Sequence, residues 1–479
     1  MSYTYQQYIN GSWFGVDGRE SVPVTNPATR AEIGQLPRAT DEDLENAASA
    51  AGRAFATWKA LPALERQRFL DKTADILTER QADIARLLTS EQGKPFDEAF
   101  GEVGAVVDFL RWFGEEGRRV YGRTIPSADG VTDWSVRHEP VGPAFVIGPW
   151  NFPVSEIGGH MSAALAAGCP VILKAPQDTP GAPQEIIRAF ADAGLPDGVV
   201  NLVAGRSGHV SDFLIAHPAV RKVSFTGSTP VGIELAQKTI ARLKHSTMEL
   251  GGNAPVIVGK TADIDAAARL VAMRKFRNAG QVCVSPNRIY VHDSVHDRFV
   301  AEFLRHVGDI NIGNGLEDGI TMGPLVNARR VGAISDLVEQ TLDAGAELVT
   351  GGTALDQGPC YWAPTVLANV PETAPAFVEE IFGPVAPISR FTDDADMLAR
   401  ANDVPVGLAS YVFSNDRVQI DLFKRGLAFG CVGINTLLIS SAETPFGGVK
   451  DSGYGRVGGQ EGLNVFFETK FVAERISAV

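Results

Sequence analysis

The sequence of 479 residues is poor in cysteine and has no block of basic residues. Its four cysteines are scattered, without a C-x-x-C pair or a cysteine–histidine cluster: Cys169, Cys283, Cys360 and Cys431. This spacing argues against a disulfide framework and against structural zinc, and we predict no metal site. The net charge of −14 is spread along the chain, so nucleic acid is not an expected partner.

The sequence also lacks a long apolar run. No stretch of about 18 uninterrupted apolar residues occurs, which argues against a membrane span. Residues 1–14 show no basic segment followed by an apolar one, so a secretory signal is not expected. The length predicts two or three domains, each with its own core. We therefore predict a cytoplasmic protein without a membrane partner.

From about residue 141, short apolar runs alternate with amphipathic or alanine-rich segments. Such alternation predicts parallel strands joined by helices, a doubly wound α/β sheet that binds ligands beyond the carboxyl ends of its strands. The predicted strands are 141–147, 171–173, 199–203 and 220–225, and the predicted helices are 155–167, 183–193, 210–216 and 230–243. A second α/β series has strands 255–258 and 289–292 and helices 264–276 and 294–307; 41–120 is mainly helical, and 123–139 and 464–472 are extended.

One carboxylate and one thiol stand beside small residues in the middle of the chain. Glu249 precedes Leu-Gly-Gly, and Cys283 ends the run Asn-Ala-Gly-Gln-Val-Cys. A thiolate can attack an aldehyde carbon, and a nearby carboxylate can then activate water against the resulting thioester. Each residue also has an ordinary interpretation, since such a glutamate is often a loop end and a lone cysteine is often a buried hydrophobe.

Three further motifs follow predicted strands, where ligands are expected. Asn151, in Pro-Trp-Asn-Phe-Pro, could donate to an oxyanion, although a turn bracketed by prolines is the simpler interpretation. Lys174 is placed for a ribose hydroxyl or phosphate, or is a surface lysine. The glycine-rich turn 225–232 opens a helix, so its N–H groups could meet a pyrophosphate. The G-x-G-x-x-G match at 453–458 follows no predicted strand and is interpreted as a flexible turn.

Together these motifs resemble those of the NAD(P)-dependent aldehyde dehydrogenase superfamily over nearly the whole chain. The resemblance includes Glu380-Ile-Phe-Gly-Pro384 and Pro445-Phe-Gly-Gly448. It implies Cys283 as nucleophile, Glu249 as general base and Asn151 as oxyanion donor in the oxidation of an aldehyde to a carboxylic acid, through a thiohemiacetal and a thioester. It also implies binding of NAD or NADP by a set of residues near the strand ends: Ile147, Pro149, Trp150, Lys174, Gln177, Gly227, Ser228, Gly232, Glu380 and Phe382.

Within that set the resemblance gives some residues particular roles. Lys174 and Glu380 would hold the two riboses, and Phe382 would pack near the nicotinamide. Gln177 stands where relatives that prefer NAD often have glutamate. Because a neutral glutamine does not repel a 2′-phosphate, we predict that NADP is at least tolerated. Ser285 replaces a second cysteine found in some relatives, so no internal disulfide switch is expected at Cys283.

The substrate is predicted from a narrower resemblance. Arg277 is similar to an arginine that binds the distal carboxylate in succinate-semialdehyde and α-ketoglutarate-semialdehyde dehydrogenases, and it could equally be a helix C-terminal charge. A second arginine of that branch is replaced by Gly159, followed by His160, so either His160 substitutes or the pocket accepts other aldehydes. The predicted substrate-binding residues are Arg277, Ser441 and Phe446. Succinate semialdehyde is the favoured substrate type, and a broad range of aliphatic or aromatic aldehydes is the alternative.

The resemblance implies an aldehyde dehydrogenase fold with a Rossmann-like dinucleotide-binding domain from 1–122 and 141–251. An α/β catalytic domain would span 252–449, and 123–140 with 450–479 would form a bridging β element for assembly into a homodimer or homotetramer. Two alternatives of other classes stay open at this point. One is a cofactor-independent cysteine acyl hydrolase that uses Cys283 and Glu249, and the other is a non-catalytic structural protein with the same fold.

Overall fold

The computed structural model describes residues 2–475 as a mixed α/β protein. Two short hairpins are followed by three long helices, which confirms the mainly helical prediction for 41–120. The first helix begins with a capping box, in which Thr40 accepts the Asp43 N–H and Asp43 accepts the Thr40 N–H. The elements are β1 Gln7–Ile9, β2 Ser12–Phe14, β3 Ser21–Thr25, β4 Glu32–Pro37, α1 Asp41–Ala60, α2 Ala63–Gln92 and α3 Phe96–Glu116.

The next segment builds the doubly wound sheet that the sequence predicts. Its strands β7 to β11 are parallel, and the sheet order is β2-β1-β9-β8-β7-β10-β11-β21, with antiparallel strands at both edges; β21 is the late strand Gly453–Tyr454. The chain moves outward from β7 to β9 and then returns to the other side of β7 with β10. The elements are β5 Arg123–Ile125, β6 Thr132–Pro140, β7 Ala144–Ile147, α4 Ser155–Ala167, β8 Val171–Lys174, α5 Gly181–Asp192, β9 Val200–Val203, α6 Ser207–Ala216, β10 Lys222–Thr226, α7 Thr229–Ile240 and β11 His245–Glu249.

A second sheet of order β14-β15-β16-β13-β12-β18-β19 follows, parallel except for the pair β14–β15. Its core is continuous and apolar, because the central strands are buried on both faces. The elements are β12 Pro255–Val258, α8 Ile264–Phe276, β13 Arg288–His292, α9 His296–Gly308, α10 Ala328–Asp343, β14 Glu347–Thr350, β15 Thr365–Ala368, α11 Pro375–Val378, β16 Val385–Phe391, α12 Asp394–Asn402, β17 Val406–Gly407, β18 Ala409–Phe413, α13 Arg417–Gly426, β19 Cys431–Ile434 and β20 Val449–Lys450. Short 3₁₀ turns lie at Arg277–Gly280 and Asp293–Val295.

The two segments predicted to be extended pair with each other. The last elements are β21 Gly453–Tyr454, α14 Gly459–Asn464 and β22 Phe467–Arg475, and β22 runs antiparallel to β6 in the three-stranded sheet β22-β6-β5. Residues 476–479 of the predicted bridging element lie outside the described residues. No helix within 2–475 has both the length and the apolarity that crossing a bilayer demands.

The G-x-G-x-x-G segment is not simply the flexible turn that we expected. Gly453 and Tyr454 form β21, the edge strand of the first sheet, paired with the end of β11. Gly453 has a φ of +103°, and a Cβ there would lie 1.9 Å from the Met248 carbonyl oxygen. Glycine is therefore required for close backbone approach. As a result, part of 450–479 belongs to the same sheet as Glu249.

Candidate active site

A cleft of about 780 Å³ opens where the first sheet reverses its strand order, between β7 and β10. Open α/β sheets bind ligands at this point because the loops on either side diverge. Twelve of the predicted catalytic and cofactor residues line it: Ile147, Pro149, Trp150, Asn151, Lys174, Gln177, Gly227, Ser228, Glu249, Cys283, Glu380 and Phe382. The structure thus brings together residues that are separated by up to half of the chain.

Cys283 reaches the cleft from a strained loop that follows α8. Asn278 and Ala279 have φ values of 50° and 53°, in the left-handed region that non-glycine residues rarely adopt. The Glu98 carboxylate accepts the Asn278 N–H at 3.0 Å and so supports this conformation. A Cβ at Gly280 would lie 2.1 Å from the Gly383 carbonyl oxygen, which explains the glycine of the motif. Cys283 itself is partly exposed to the cleft.

Asn151 is fixed on the same loop system. Its side-chain amide donates to the Gln281 carbonyl at 3.0 Å, two residues before Cys283. Its own carbonyl accepts from Lys94 Nζ at 2.7 Å and from Asn278 Nδ2 at 3.1 Å. These contacts connect the oxyanion-donor candidate directly to the nucleophile loop. The buried Lys94, which also pairs with Glu102, was not predicted from the sequence.

Glu249 ends β11 and is 2% exposed. Neither of its carboxyl oxygens has a hydrogen bond of ordinary geometry among the described residues, and the nearby Gly448 N–H opposes the rise of its pKa only in part. A Cβ at Gly447 would lie 2.7 Å from Glu249 Oε1, so the Pro-Phe-Gly-Gly motif makes room for this carboxyl group. Burial, reinforced by the charge of Glu156, raises the pKa of Glu249 well above its usual range. A buried carboxyl group with so little hydrogen bonding is a strong proton acceptor once ionised.

The same environment affects the thiol. Burial raises the pKa of Cys283 well above its usual value, and the charges of Glu156, Glu380 and Glu249 act in the same direction. Glu156 was not among the predicted site residues, yet it lines the cleft beside the other two carboxylates. The available signal was its position five residues after Asn151, in the first turn of α4. Formation of the thiolate therefore requires a proton acceptor within the cleft.

The same cleft holds most of the predicted cofactor residues. Lys174 ends β8 and donates to the Ser207 hydroxyl at 2.9 Å, and burial lowers its pKa to about 8. Glu380 Oε1 accepts the Gly252 N–H at 3.2 Å, and burial raises its pKa to about 7. Ser207 was missed by sequence analysis because a helix-start serine after β9 has no distinctive pattern.

Phe382 is held in a defined position at the wall of the cleft. Its φ is 49°, and the Arg330 guanidinium donates to the carbonyls of Ile381 and Phe382 at 2.9 Å each. Its ring meets the Trp150 ring edge-on, with centroids 5.5 Å apart. These contacts set a rigid aromatic wall between the Pro-Trp-Asn-Phe-Pro loop and the Glu380 segment.

The predicted cofactor residues of the cleft fit a dinucleotide. Helix α7 begins at the cleft, which its N-cap residue Ser228 lines, and no side chain of the described residues caps it, so the positive end of the helix dipole lies at the cleft. A Cβ at Gly227 would lie 2.4 Å from the Phe225 ring, so a larger residue would disturb this turn. Gly232 does not belong to the cleft lining within 2–475; a Cβ there would meet the Leu250 side chain at 2.2 Å, which gives it a packing role.

The three predicted substrate residues do not converge on the cleft. Arg277 lines a separate cavity of about 570 Å³, here called the Arg277 cavity, and lies 3.8 Å from Glu98. Ser441 is exposed at a third, shallower cavity. Phe446 is buried in the core of the second sheet and its backbone pairs with Val457. The ring of Phe152 lies between the two regions, since it lines the cleft and is 5.1 Å from the Arg277 guanidinium.

The structure also bears on whether His160 can replace the second arginine, whose position is occupied here by Gly159. A Cβ at Gly159 would lie 2.5 Å from Val457, so this position has no space for an arginine. His160 is 2% exposed, and its Nε2 lies 3.4 Å from the Thr226 hydroxyl. Burial lowers its pKa to about 3, so the imidazole is neutral. The suggestion that His160 substitutes for the missing arginine is not supported, because the ring is neutral, buried and already in contact with Thr226.

Comparison with known proteins identifies the class. The model of the aldehyde dehydrogenase family matches residues 13–472, and the chain belongs to this family. It is 42% identical to the succinate-semialdehyde dehydrogenase [NADP(+)] of Escherichia coli over 98% of both chains. It is 42% identical to the glutarate-semialdehyde dehydrogenase of Pseudomonas aeruginosa, over 98% of this chain and 97% of the relative.

A solved structure agrees with these relatives. The succinate-semialdehyde dehydrogenase of Burkholderia pseudomallei superposes with a TM-score of 0.97 at 39% identity, over 98% of both chains. The predicted family and fold class are therefore confirmed. The chain is an aldehyde dehydrogenase, and the acyl-hydrolase and structural-protein alternatives are set aside.

Proposed function

We propose that this aldehyde dehydrogenase oxidises a semialdehyde that carries a carboxylate to the corresponding diacid, with NAD or NADP as hydride acceptor. The single observation that carries the proposal is the convergence of Cys283, Glu249 and Asn151 on one cleft that also holds a helix N-terminus open to a phosphate. The relatives named for succinate and glutarate semialdehydes support the substrate class.

In the proposed reaction Cys283 attacks the aldehyde carbon as a thiolate and forms a thiohemiacetal. The Asn151 amide and the Cys283 backbone N–H stabilise the tetrahedral oxyanion. A bound NAD(P) supplies the acceptor for the hydride that leaves this carbon, and a thioester remains on Cys283. Glu249 then takes a proton from water, which hydrolyses the thioester and releases the carboxylic acid.

The cofactor would be held by other residues of the same cleft. Lys174 and Glu380 are placed for the ribose hydroxyls, and Gly227 and Ser228 for the pyrophosphate at the start of α7. Phe382 would pack near the nicotinamide. The polar contacts of Lys174 with Ser207 and of Glu380 with Gly252 support these roles, since both side chains are already oriented into the cleft.

The distal carboxylate would be bound by Arg277. Its support is chemical, because a guanidinium is suited to bidentate contact with a carboxylate. The Arg277 cavity also receives Arg274, which donates to the Leu437 carbonyl at 3.0 Å. Because Glu98 lies 3.8 Å from Arg277, the substrate would compete with this internal carboxylate. Ser441 and Phe446 are proposed to contribute only by shaping the loop beside the Arg277 cavity.

Assembly into a homodimer or homotetramer is part of the proposal. Support comes from β22, an edge strand with Phe471 56% exposed, and from α7, where Ile233 and Ile240 are exposed. An exposed strand edge favours pairing with another copy. The division into dinucleotide-binding, catalytic and bridging parts and the cytoplasmic location remain predictions. Light scattering on the purified chain would establish the number of subunits.

The test is the initial rate of nicotinamide reduction with succinate semialdehyde and with butanal, each with NAD and with NADP. We expect the semialdehyde to be preferred and the Cys283→Ala variant to be inactive with both. Equal or better rates with butanal would contradict the substrate class and leave Arg277 structural. No reduction with either aldehyde, with a folded protein, would contradict the choice of short aliphatic substrates.

A further inference from the structure

A third carboxyl group lines the cleft and has no part in the reaction described above. Glu156 lies in the first turn of α4, and it shares the cleft with Glu249 and Cys283. It is half-buried, whereas Glu249 is almost completely enclosed. Burial, with the nearby charge of Glu102, raises the pKa of Glu156 to about 7. Such a group exchanges protons readily near neutral pH.

Glu156 is not required to cap its own helix. The first free N–H groups, those of Val154 and Ser155, already donate to Glu102 Oε1 at 3.0 and 3.2 Å. The side chain of Glu156 instead reaches the strand ends, where its Oε2 lies 3.5 Å from the Thr226 hydroxyl. A purely structural role in the helix therefore does not account for its position.

Thr226 links Glu156 to the general-base candidate. It is the last residue of β10, and it lies directly opposite Glu249, the last residue of the neighbouring parallel strand β11. Neighbouring strands lie about 4.8 Å apart. Glu156 thus contacts the residue adjacent to Glu249. Within residues 2–475 no side chain is hydrogen-bonded to Glu249 and could take its proton directly. Glu156 is therefore a candidate acceptor for that proton.

We propose that Glu156 is the proton-exit group of the deacylation step. This inference rests on the proposed function. Water loses a proton to Glu249 while its oxygen bonds to the thioester carbon, and the carbon–sulfur bond then breaks to release the Cys283 thiolate and the acid product. Glu249 gives its proton to water in the cleft beside Thr226, and this water passes a proton to the Glu156 carboxylate. Glu156 releases the proton to solvent, and Glu249 is ionised for the next turnover.

The experiment isolates deacylation from the oxidation step. The Cys283 thiolate attacks p-nitrophenyl acetate, nitrophenolate leaves, and an acetyl thioester remains, so neither aldehyde nor cofactor is needed. The full-length protein is mixed with a stoichiometric amount of this ester. Nitrophenolate absorbance gives the acylation rate, and intact masses of quenched samples give the decay of the acetyl-enzyme. The variants are Glu156→Gln, Glu156→Asp and Glu156→Ala, with Glu79→Gln, an exposed glutamate on α2, as the matched control.

We expect acylation in Glu156→Gln to be as fast as in the wild type or faster, because loss of this negative charge removes one cause of the raised Cys283 pKa. Decay of the acetyl-enzyme should instead slow by about tenfold to a hundredfold, since acid–base groups typically contribute about 10²–10⁴-fold. Glu156→Asp keeps a carboxylate and should lose less. In Glu156→Ala, added formate should accelerate decay in proportion to its concentration, which a packing role would not produce. Glu79→Gln should match the wild type.

Three results would overturn the proposal: unchanged decay in Glu156→Gln, slowed acylation in that variant, or slowed decay in Glu156→Ala that formate does not restore. The outcome is separate from that of the proposed function. Decay that depends on Glu156 without aldehyde oxidation would contradict the function alone. Aldehyde oxidation with decay independent of Glu156 would contradict this inference alone.

Discussion

The cleft and the Arg277 cavity are built in different ways. One wall of the cleft is formed by residues at the ends of parallel strands, such as Lys174, Thr226 and Glu249, whose positions follow from the register of one sheet. The Arg277 cavity is formed by the second half of α8, by single residues of α3 and α9, and by loops near 310, 321 and 436–438. The register of a sheet fixes side chains that are far apart in sequence, whereas a cavity between helices and loops depends on how these elements pack. Catalysis and substrate choice therefore have different structural foundations in this protein.

Replacing the general-base candidate tests the cleft most strongly. We expect Glu249→Gln to lower kcat by about 10²–10⁴-fold, because hydrolysis of the thioester loses its proton acceptor. The first turnover should survive, so a rapid burst of reduced nicotinamide should precede the slow steady state. Stopped-flow absorbance measures both phases. A missing burst would show that Glu249 acts before hydride transfer.

The pH dependence sharpens the same test. The pKa of Glu249 and that of Cys283 are both raised, mainly by burial, and both groups act in their ionised forms. The wild-type rate should therefore rise as the pH increases from neutral into the alkaline range, and it should fall as the groups become protonated. In Glu249→Gln the deacylation rate should no longer increase with pH, because the group that must ionise for this step has been removed. An activity that decreases over the same range would contradict the assignment.

Lys94 tests the structural junction between the two regions. It is buried, pairs with Glu102, donates to the Asn151 carbonyl and lies 4.1 Å from the Phe152 ring. We expect Lys94→Met to lower the free energy of unfolding by about 3–5 kcal/mol, because Glu102 is left as a buried, unpaired charge. Urea unfolding measures this change, and adding Glu102→Gln should recover part of it.

The exposed pair Arg68–Glu65 provides the matched control for Lys94. Its side chains are 65% and 42% exposed, so Arg68→Met should change the unfolding free energy by less than about 1 kcal/mol. A small effect of Lys94→Met would show that the Asn151 loop is held mainly by Asn278.

The regular elements were largely predictable from the sequence, and the supporting contacts of the site were not. Helices 155–167 and 264–276 and strand 255–258 have the predicted bounds, because apolar patterning and the Asp263 N-cap mark them. Lys94 contacts Asn151 across 57 residues, and no local pattern encodes such a contact. Likewise, only Gly280 hints at the left-handed turn that includes Asn278 and Ala279.

Arg277→Ala tests whether the two regions cooperate on one substrate. We expect the KM for succinate semialdehyde to rise by about tenfold to a hundredfold, because a hydrogen bond to a charged group contributes about 1.5–3 kcal/mol. The rate with butanal should be unchanged. Steady-state kinetics with both aldehydes measure this, and Arg269→Ala, an exposed residue of the same cavity, is the control. Equal losses with both aldehydes would give Arg277 a structural role through Glu98 and Phe152.

The smallest expected effect concerns Gln177, one of the predicted cofactor residues of the cleft. Gln177 is exposed and follows Lys174 by three residues. Burial raises the pKa of the neighbouring Asp178, and the charges of Arg329 and Lys174 oppose this rise. We expect Gln177→Glu to raise the KM for NADP by about tenfold and to leave that for NAD unchanged, because a carboxylate near a 2′-phosphate adds about 1 kcal/mol of repulsion. Gln177→Met, which adds no charge, is the control. Kinetics with both cofactors measure the change. The predicted tolerance of NADP would be contradicted if the wild-type KM for NADP were about a thousandfold above that for NAD. Such a ratio corresponds to about 4 kcal/mol and requires a repulsion that the neutral Gln177 does not provide.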